Sequence, residues 1–208
     1  MMVEDFSELS AMQIDALREI GNIGAGNAAT ALAQLLNRRI NMAVPRISIV
    51  PFPKVPEAVG GAERLMVGVY LRVQGSAPGN ILFLLPITNA YLLVDMLLGL
   101  PRGTTTALDD MGQSVLQEVG NILAGAYLNA LSMFTSLNMV PSVPALAVDM
   151  AGAILSAVLF QLGEVGDHAL LVETQFTENE IQVIGHFFLL PEPEALDTIM
   201  SGLGVNIQ

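Results

Sequence analysis

The stretch Asp15-Ala-Leu-Arg-Glu19-Ile-Gly-Asn22-Ile-Gly-Ala-Gly-Asn27 returns later in the chain as Ser114-Val-Leu-Gln-Glu118-Val-Gly-Asn121-Ile-Leu-Ala-Gly125. Glu19, Gly21, Asn22, Ile23, Ala25, Gly26, Ala31 and Leu32 all reappear unchanged on adding 99 to the number, and Pro45 reappears as Pro144. One register over so many positions is an internal repeat, and a repeat of this length constrains the fold more than any local propensity does. It predicts a pseudo-two-fold duplicated domain of about residues 1-103 and 104-208, with the boundary in the polar, flexible-looking run Arg102-Gly-Thr-Thr-Thr-Ala.

On a helix, positions i, i+4 and i+7 fall within about 60° of arc, so Asp15, Glu19 and Asn22 share one face, which Gly26 continues a turn later. Opposite them run Leu17, Ile20, Gly24, Ala28, Ala31 and Leu35, a stripe of apolar and small residues suited to packing on a core. Each of Gly21, Gly24 and Gly26 costs about 0.5–1 kcal/mol against Ala in a helix interior, so their density points to close approach by other groups. Gly24 is expected to face the core and Gly26 a partner. Read alone, one copy is also what a solvated helix face looks like; two copies in register narrow that reading.

The rest of the chain reads as helix, three strands and a closing helix, twice. A first helix over about 11–36 is capped by Ser7 or Ser10; a strand follows over 39–50, with Pro45 holding it at an edge or a bulge. Leu65–Val73 and Asn80–Leu85 form an antiparallel pair, and Thr88 caps a helix that stops at Gly99 and Pro101. The second unit predicts a helix over 109–134, a strand over 140–148, a hairpin of 168–176 with 181–190, and a helix over 196–203. The fold class is therefore α/β of the α+β type, a mixed or antiparallel sheet with two long surface helices. The second unit departs from the first in an amphipathic segment, Met150–Leu162, which reads as a buried helix.

Composition removes several functions. The chain of 208 residues carries eight Lys and Arg against twenty Asp and Glu, a net charge of −12, which argues against a nucleic-acid partner. Without cysteine there is neither disulfide nor thiolate chemistry, and two histidines, His168 and His186, give a His-based metal site little material. Mean hydropathy is +0.58, yet the uninterrupted apolar run from Met150 to Phe160 is shorter than the roughly 20 residues a bilayer span needs. The acidic start Met1-Met-Val-Glu-Asp has no signal-peptide character, so a cytoplasmic protein without membrane insertion is expected.

What chemistry remains is that of Glu and Asn. A carboxamide has no useful basicity, so Asn22 and Asn121 would orient a water or a substrate group, while Glu19 and Glu118 would accept from a cation or act as a base. The double pattern Asp/Ser-x3-Glu-x2-Asn-x22-Pro, as Asp15, Glu19, Asn22, Pro45 and as Ser114, Glu118, Asn121, Pro144, resembles the signature of the CheC-type chemotaxis phosphatases. The resemblance covers nearly the whole chain. It implies hydrolysis of the aspartyl phosphate on a CheY-type response regulator, with Asn22 and Asn121 positioning the attacking water and Glu19 and Glu118 pairing with the regulator's active-site Lys.

The resemblance also implies that no cofactor is bound by this chain and that Mg²⁺ sits on the regulator. Asp15 and Ser114 would support or cap, and Gly26 and Gly125 would let the regulator approach closely. The segment from Val148 resembles that by which family members dock CheD, the receptor deamidase, with Asp149 as the candidate contact; the same run also reads as a core helix. Two departures, Asn27 against Ala126 and Gly24 against Leu123, are expected to make the edges of the two sites unlike. The alternative function is a low-turnover adaptor for CheD or the flagellar switch. The intact Glu–Asn pairs, with neither an added switch domain nor an added regulator-binding peptide expected here, favour the phosphatase.

Overall fold

The computed structural model describes residues 9–36, 40–162, 168–178 and 180–204. Helix α1 spans Ala11–Leu36 and strand β1 Asn41–Pro51; a 3-10 turn at Phe52–Lys54 and the short α2, Val55–Ala58, follow. Then come β2 (Leu65–Gly75), β3 (Gly79–Pro86), α3 (Ile87–Leu98) and α4 (Asp110–Thr135). The chain continues through β4 (Met139–Pro141), β5 (Ala145–Met150), α5 (Ala151–Leu162), β6 (His168–Glu178), β7 (Ile181–Pro191) and α6 (Pro193–Gly202).

Among the described residues seven strands make one antiparallel sheet in the order β1-β6-β7-β3-β2-β4, with β5 also pairing β2. The middle of the sheet is β3 against β7, where Gly79 faces Pro191 and Leu84 faces His186. Outside them lie β2 and β6, and at the edges β1 and the broken strand β4/β5. The first strand of each half therefore pairs with the other half: β1 with β6, and β4/β5 with β2. Fold class and the expected shared sheet agree with the sequence reading.

Side-chain alternation builds a core on each face. Ile81, Phe83 and Leu85 of β3 join Val67, Val69 and Leu71 of β2 under the long helices, while Leu82 and Leu84 join Met66 under α2 and α5. Every residue of β3 is buried, as its unbroken apolar run requires of a strand covered on both faces. Ile154, Leu155 and Val158 pack α5 onto that second face, so the expected helix after the second unit's first strand is present.

Several local expectations shift. The strand expected over 140–148 is broken: β4 and β5 meet β2 in registers one residue apart, with Ser142, Val143 and Pro144 passing opposite Leu71 and Arg72. Strand β1 slips by one residue between Ala43 and Arg46, around Pro45. Both prolines thus stand at bulges in edge strands, where a missing N–H donor costs the ladder least. Thr88 is not the cap, because Pro86, at φ −51° and ψ 138°, turns β3 straight into α3 at Ile87. Helix α6 starts at Pro193 rather than at 196, since proline is at home in a first turn. Ser10 does cap α1: its N–H donates to Gln13 Oε1 at 2.8 Å and its Oγ accepts from Gln13 N at 3.4 Å, a reciprocal capping box. Ser7 lies outside the described residues.

The run after α3 is tied down rather than loose. Gly99 ends α3 in the left-handed conformation, φ 68°, and Asp95, 2% exposed, reaches the turn beyond it. Its carboxylate accepts from Gly103 N at 2.7 Å, Thr104 N at 3.1 Å, Thr105 N at 2.8 Å and Thr105 Oγ1 at 2.6 Å. Burial by itself would raise the Asp95 pKa, but these four donors favour the charged form more strongly and leave it below the usual aspartate value. Asp95 therefore adds stability that is complete above the unfolded aspartate value and is lost as pH falls through the lower folded value. Asp95→Asn, which keeps the shape and puts a donor against donors, should cost about 1–3 kcal/mol at neutral pH. Thermal melts from neutral pH down through the acid range should show the gap between variant and parent closing as the pH falls.

Candidate functional site

Helices α1 and α4 lie side by side on one face of the sheet and also pack on each other. Between the Glu and the Asn of each copy sits a buried glycine, and each touches a strand. A Cβ on Gly21 would lie 2.7 Å from Ile47 Cδ1 of β1, and one on Gly120 would lie 2.6 Å from Val69 Cγ1 of β2. Seated that way, the helices turn the residues on either side of the glycine outward. Glu19, Asn22, Glu118, Asp15 and Ser114 are exposed, and Asn121 is half-buried.

Neither Glu nor Asn in either copy has a side-chain hydrogen bond to another described residue, so their polar groups face outward unspent. At i, i+3 spacing the two side chains of a pair stand as neighbours, roughly 5–6 Å apart at Cβ. Gly26 has nothing within 4 Å of where a Cβ would be, and neither has Gly125, so both leave open surface next to the Asn. The structure thus brings Glu19, Asn22 and Gly26 together on one face of α1, and Glu118, Asn121 and Gly125 on one face of α4.

The supporting residues differ between copies. Asp15 forms an ion pair with Arg18 at 2.7 Å, whereas Ser114 Oγ donates back to Asp110 O at 2.8 Å. Neither stands at a helix end, so neither caps; Asp109 caps α4 by accepting from Gly112 N at 2.8 Å. Gln117 takes the place of Arg18 and donates to Pro144 O at 3.4 Å, which ties α4 to the bulge in the edge strand. Pro45 and Pro144 shape edge strands and are not on the exposed helix faces.

The departure of Gly24 from Leu123 is a packing matter and not a site edge. Tyr127 of α4, the counterpart of Ala28, lays its ring against Gly24, where a Cβ would meet Tyr127 Cα at 3.2 Å. The ring also stacks on Phe187, centroids 4.5 Å apart. A bulky residue on one helix is accommodated by a missing one on the other. Sequence reading missed Tyr127; its only trace was that a glycine and a leucine share a register position. Leu35, placed on the buried stripe, is exposed instead. Of the second pair of departures, Asn27 is exposed and Ala126 buried, so that one does fall at a surface edge.

Asp149 is exposed in β5, opposite Met66, just before α5, and its carboxylate accepts from Met150 N at 2.7 Å. It stands away from both Glu–Asn faces, beside the exposed Ala153, Ser156 and Ala157 of α5. His186 is buried in β7 opposite Glu173, where burial lowers its pKa and Glu173 partly offsets that. Among the described residues no group of three or more His, Asp and Glu is placed to hold a metal ion, and no helix is long and apolar enough to cross a membrane.

An antiparallel sheet backed by two long helices that repeat an outward Glu-x-Gly-Asn turn defines a class, and comparisons with known proteins name it. The CheC-like family model matches residues 12–49 and 111–148, the same register as the repeat. The chain is 39% identical over 206 residues, 97% of itself and 99% of the relative, to the CheY-P phosphatase CheC of Bacillus subtilis. It is 28% identical over 131 residues to the flagellar motor switch phosphatase FliY of the same organism, which covers 62% of this chain and 34% of that one. Among solved structures, Thermotoga maritima FliY superposes with a TM-score of 0.75 at 20% identity, covering 95% of this chain and 98% of that chain. The FliM middle domain of H. pylori superposes at 0.67 and 10% identity, covering 93% and 99%. The chain belongs to the CheC-like family.

The packing of the two helices can be tested by stability alone. Gly24→Ala should destabilise by about 1–2 kcal/mol, because overpacking against Tyr127 outweighs the gain in helix propensity. Gly26→Ala, with open space around it, should stabilise by about 0.5–1 kcal/mol. Tyr127 is 6% exposed and its hydroxyl has no partner among the described residues, while burial pushes its pKa upward. Tyr127→Phe should therefore be neutral or stabilising by up to about 1 kcal/mol, all three read from denaturant melts.

Proposed function

We propose that the chain hydrolyses the aspartyl phosphate of a CheY-type response regulator in bacterial chemotaxis, using the Glu19–Asn22 and Glu118–Asn121 pairs. The observation that carries this reading is the pair itself: twice, on a helix seated on the sheet at its own glycine, Glu and Asn stand outward without side-chain partners among the described residues. The 39% identity to a protein named CheY-P phosphatase supports the substrate.

A carboxamide offers one acceptor and two donors, so Asn22 or Asn121 would accept a hydrogen bond from the attacking water and hold it in line with the phosphorus. Glutamine does this for water in GTPases. The water oxygen bonds to phosphorus as the bond from phosphorus to the aspartyl oxygen breaks; the carboxylate leaves with the electron pair, and the water's proton passes to phosphate or solvent. Glu19 or Glu118 would pair with the regulator's active-site Lys and fix the docking angle. Mg²⁺ is expected on the regulator, where it would neutralise phosphoryl charge. Gly26 and Gly125 leave room for the phosphorylated face to come close.

Asn22→Ala and Asn121→Ala should each remove one site, at a cost to that site of about 10²–10³ in rate. Each single variant keeps the other site's share of phosphate release from the phosphorylated regulator, and only the double variant collapses. Melts should stay near the parent because both changes lie on a helix surface. A double variant as active as the parent would sink the mechanism; one single variant as inactive as the double would mean that a single site works. The more covered setting of Asn121 is a reason to expect unequal shares.

Binding to CheD is a separate proposal, supported by the exposure of Asp149 beside the small, exposed side chains of α5 and by its distance in the fold from both Glu–Asn faces. Asp149→Lys should weaken CheD binding in titration calorimetry and leave phosphate release within a few-fold of the parent. Unchanged CheD affinity would remove this residue from the interface.

A further inference from the structure

Among the exposed large apolar side chains of α1 and α4, Met12 and Met111 stand at matching positions near the starts of the helices, as Leu35 and Phe134 do near their ends. Met12 is 71% exposed and Met111 is 59% exposed, and adding 99 turns one number into the other. Each lies on the face that bears the site. Met12, Asp15, Glu19, Asn22 and Gly26 are spaced i, i+3, i+7, i+10 and i+14, and so are Met111, Ser114, Glu118, Asn121 and Gly125, which keeps each set on one stripe of its helix. Ten residues separate each methionine from its Asn, about 15 Å along the axis.

That distance decides what the methionine can do. It is too far to touch a phosphoryl group held at the Asn. It is well within one docking footprint, because a standard interface buries about 800 Å² per partner, a patch roughly 30 Å across. The polar members of the stripe supply little affinity of their own, since desolvating a carboxylate offsets much of what its ion pair returns. An unbranched, adaptable side chain at the end of the stripe supplies apolar contact area without demanding one exact partner shape.

We infer that Met12 and Met111 are docking anchors for the phosphorylated partner, each seating on an apolar side chain of that partner about 15 Å from its phosphoryl group. This rests on the function proposed above and adds the apolar half of the recognition surface to the polar half. The anchors act on binding, so they raise affinity without changing how the water is aligned.

The test is steady-state phosphate release by the full chain, with the phosphorylated regulator as varied substrate. Met12→Gln with Met111→Gln should raise KM about tenfold, the loss of one good apolar contact per site, and leave kcat within about twofold. Leucine at both positions should restore KM to near the parent value. Leu35→Gln alters a side chain that is 59% exposed at the far end of α1 and off the stripe, and it should change neither constant. An unchanged KM in the double Gln variant, with the parent active, overturns the inference. A fall in kcat at unchanged KM overturns it too, since the methionines would then act on alignment. A parent without phosphatase activity overturns the underlying function instead, so the two failures are distinguishable.

Discussion

The depth to which α1 and α4 sink onto the sheet governs everything on their outer faces, and the absence of a Cβ at Gly21 and Gly120 sets that depth. A methyl group there would come within 2.6–2.7 Å of Ile47 or Val69, where ordinary carbon contacts sit at about 3.5–4.0 Å. The tip of Ile47 can turn aside, but at the stiff, β-branched Val69 relief would require α4 to shift, and a displacement on the order of 1 Å can cost about a hundredfold in a reaction that depends on alignment. The glycine is thus part of the site although it touches no substrate, and its helix-propensity cost is offset by the packing it permits. Tyr127 against Gly24 applies the same logic between the helices, fixing α1 relative to α4.

Fold alone does not say what a chain built this way does. The FliM middle domain superposes over nearly its whole length at 10% identity, as does FliY at 20%. Shared architecture at such identity says how the chain is built, and the side chains on the exposed stripe say what it is equipped to do. Here those side chains are two Glu–Asn pairs without a side-chain hydrogen bond among the described residues, which is the chemical basis for reading this chain as an enzyme.

Much of the architecture was legible in the sequence because the two periodicities are strong. The buried run Ile81–Leu85 and the outward set Asp15, Glu19, Asn22 declare themselves by alternation and by helical spacing. The faces that bear Glu and Asn were legible for the same reason. What was hidden depends on contacts distant in sequence. That Asp95 would gather Gly103, Thr104 and Thr105 follows from a turn geometry that composition does not encode, so a polar run looked loose. The Gly24–Leu123 difference looked like a site edge because Tyr127, its cause, comes from the other helix. The break between β4 and β5 was foreshadowed by Pro144, but its one-residue slip is a property of the ladder with β2.

The exchange of first strands between the halves has a consequence for how the molecule is made. Strand β1 ends at Pro51, and its partner β6 begins at His168, so during synthesis β1 waits for about 120 further residues before its ladder can form. At ribosomal speeds of about 5–20 residues per second that wait lasts roughly 6–24 s, far longer than local helix or hairpin formation. Throughout it an unpaired apolar strand is exposed to other chains. The bulge at Pro45 and the charge of Arg46 blunt that edge against the wrong partner. The same connectivity means that neither half, expressed alone as a monomer, has a partner for its own first strand, and that mixing the two halves supplies it.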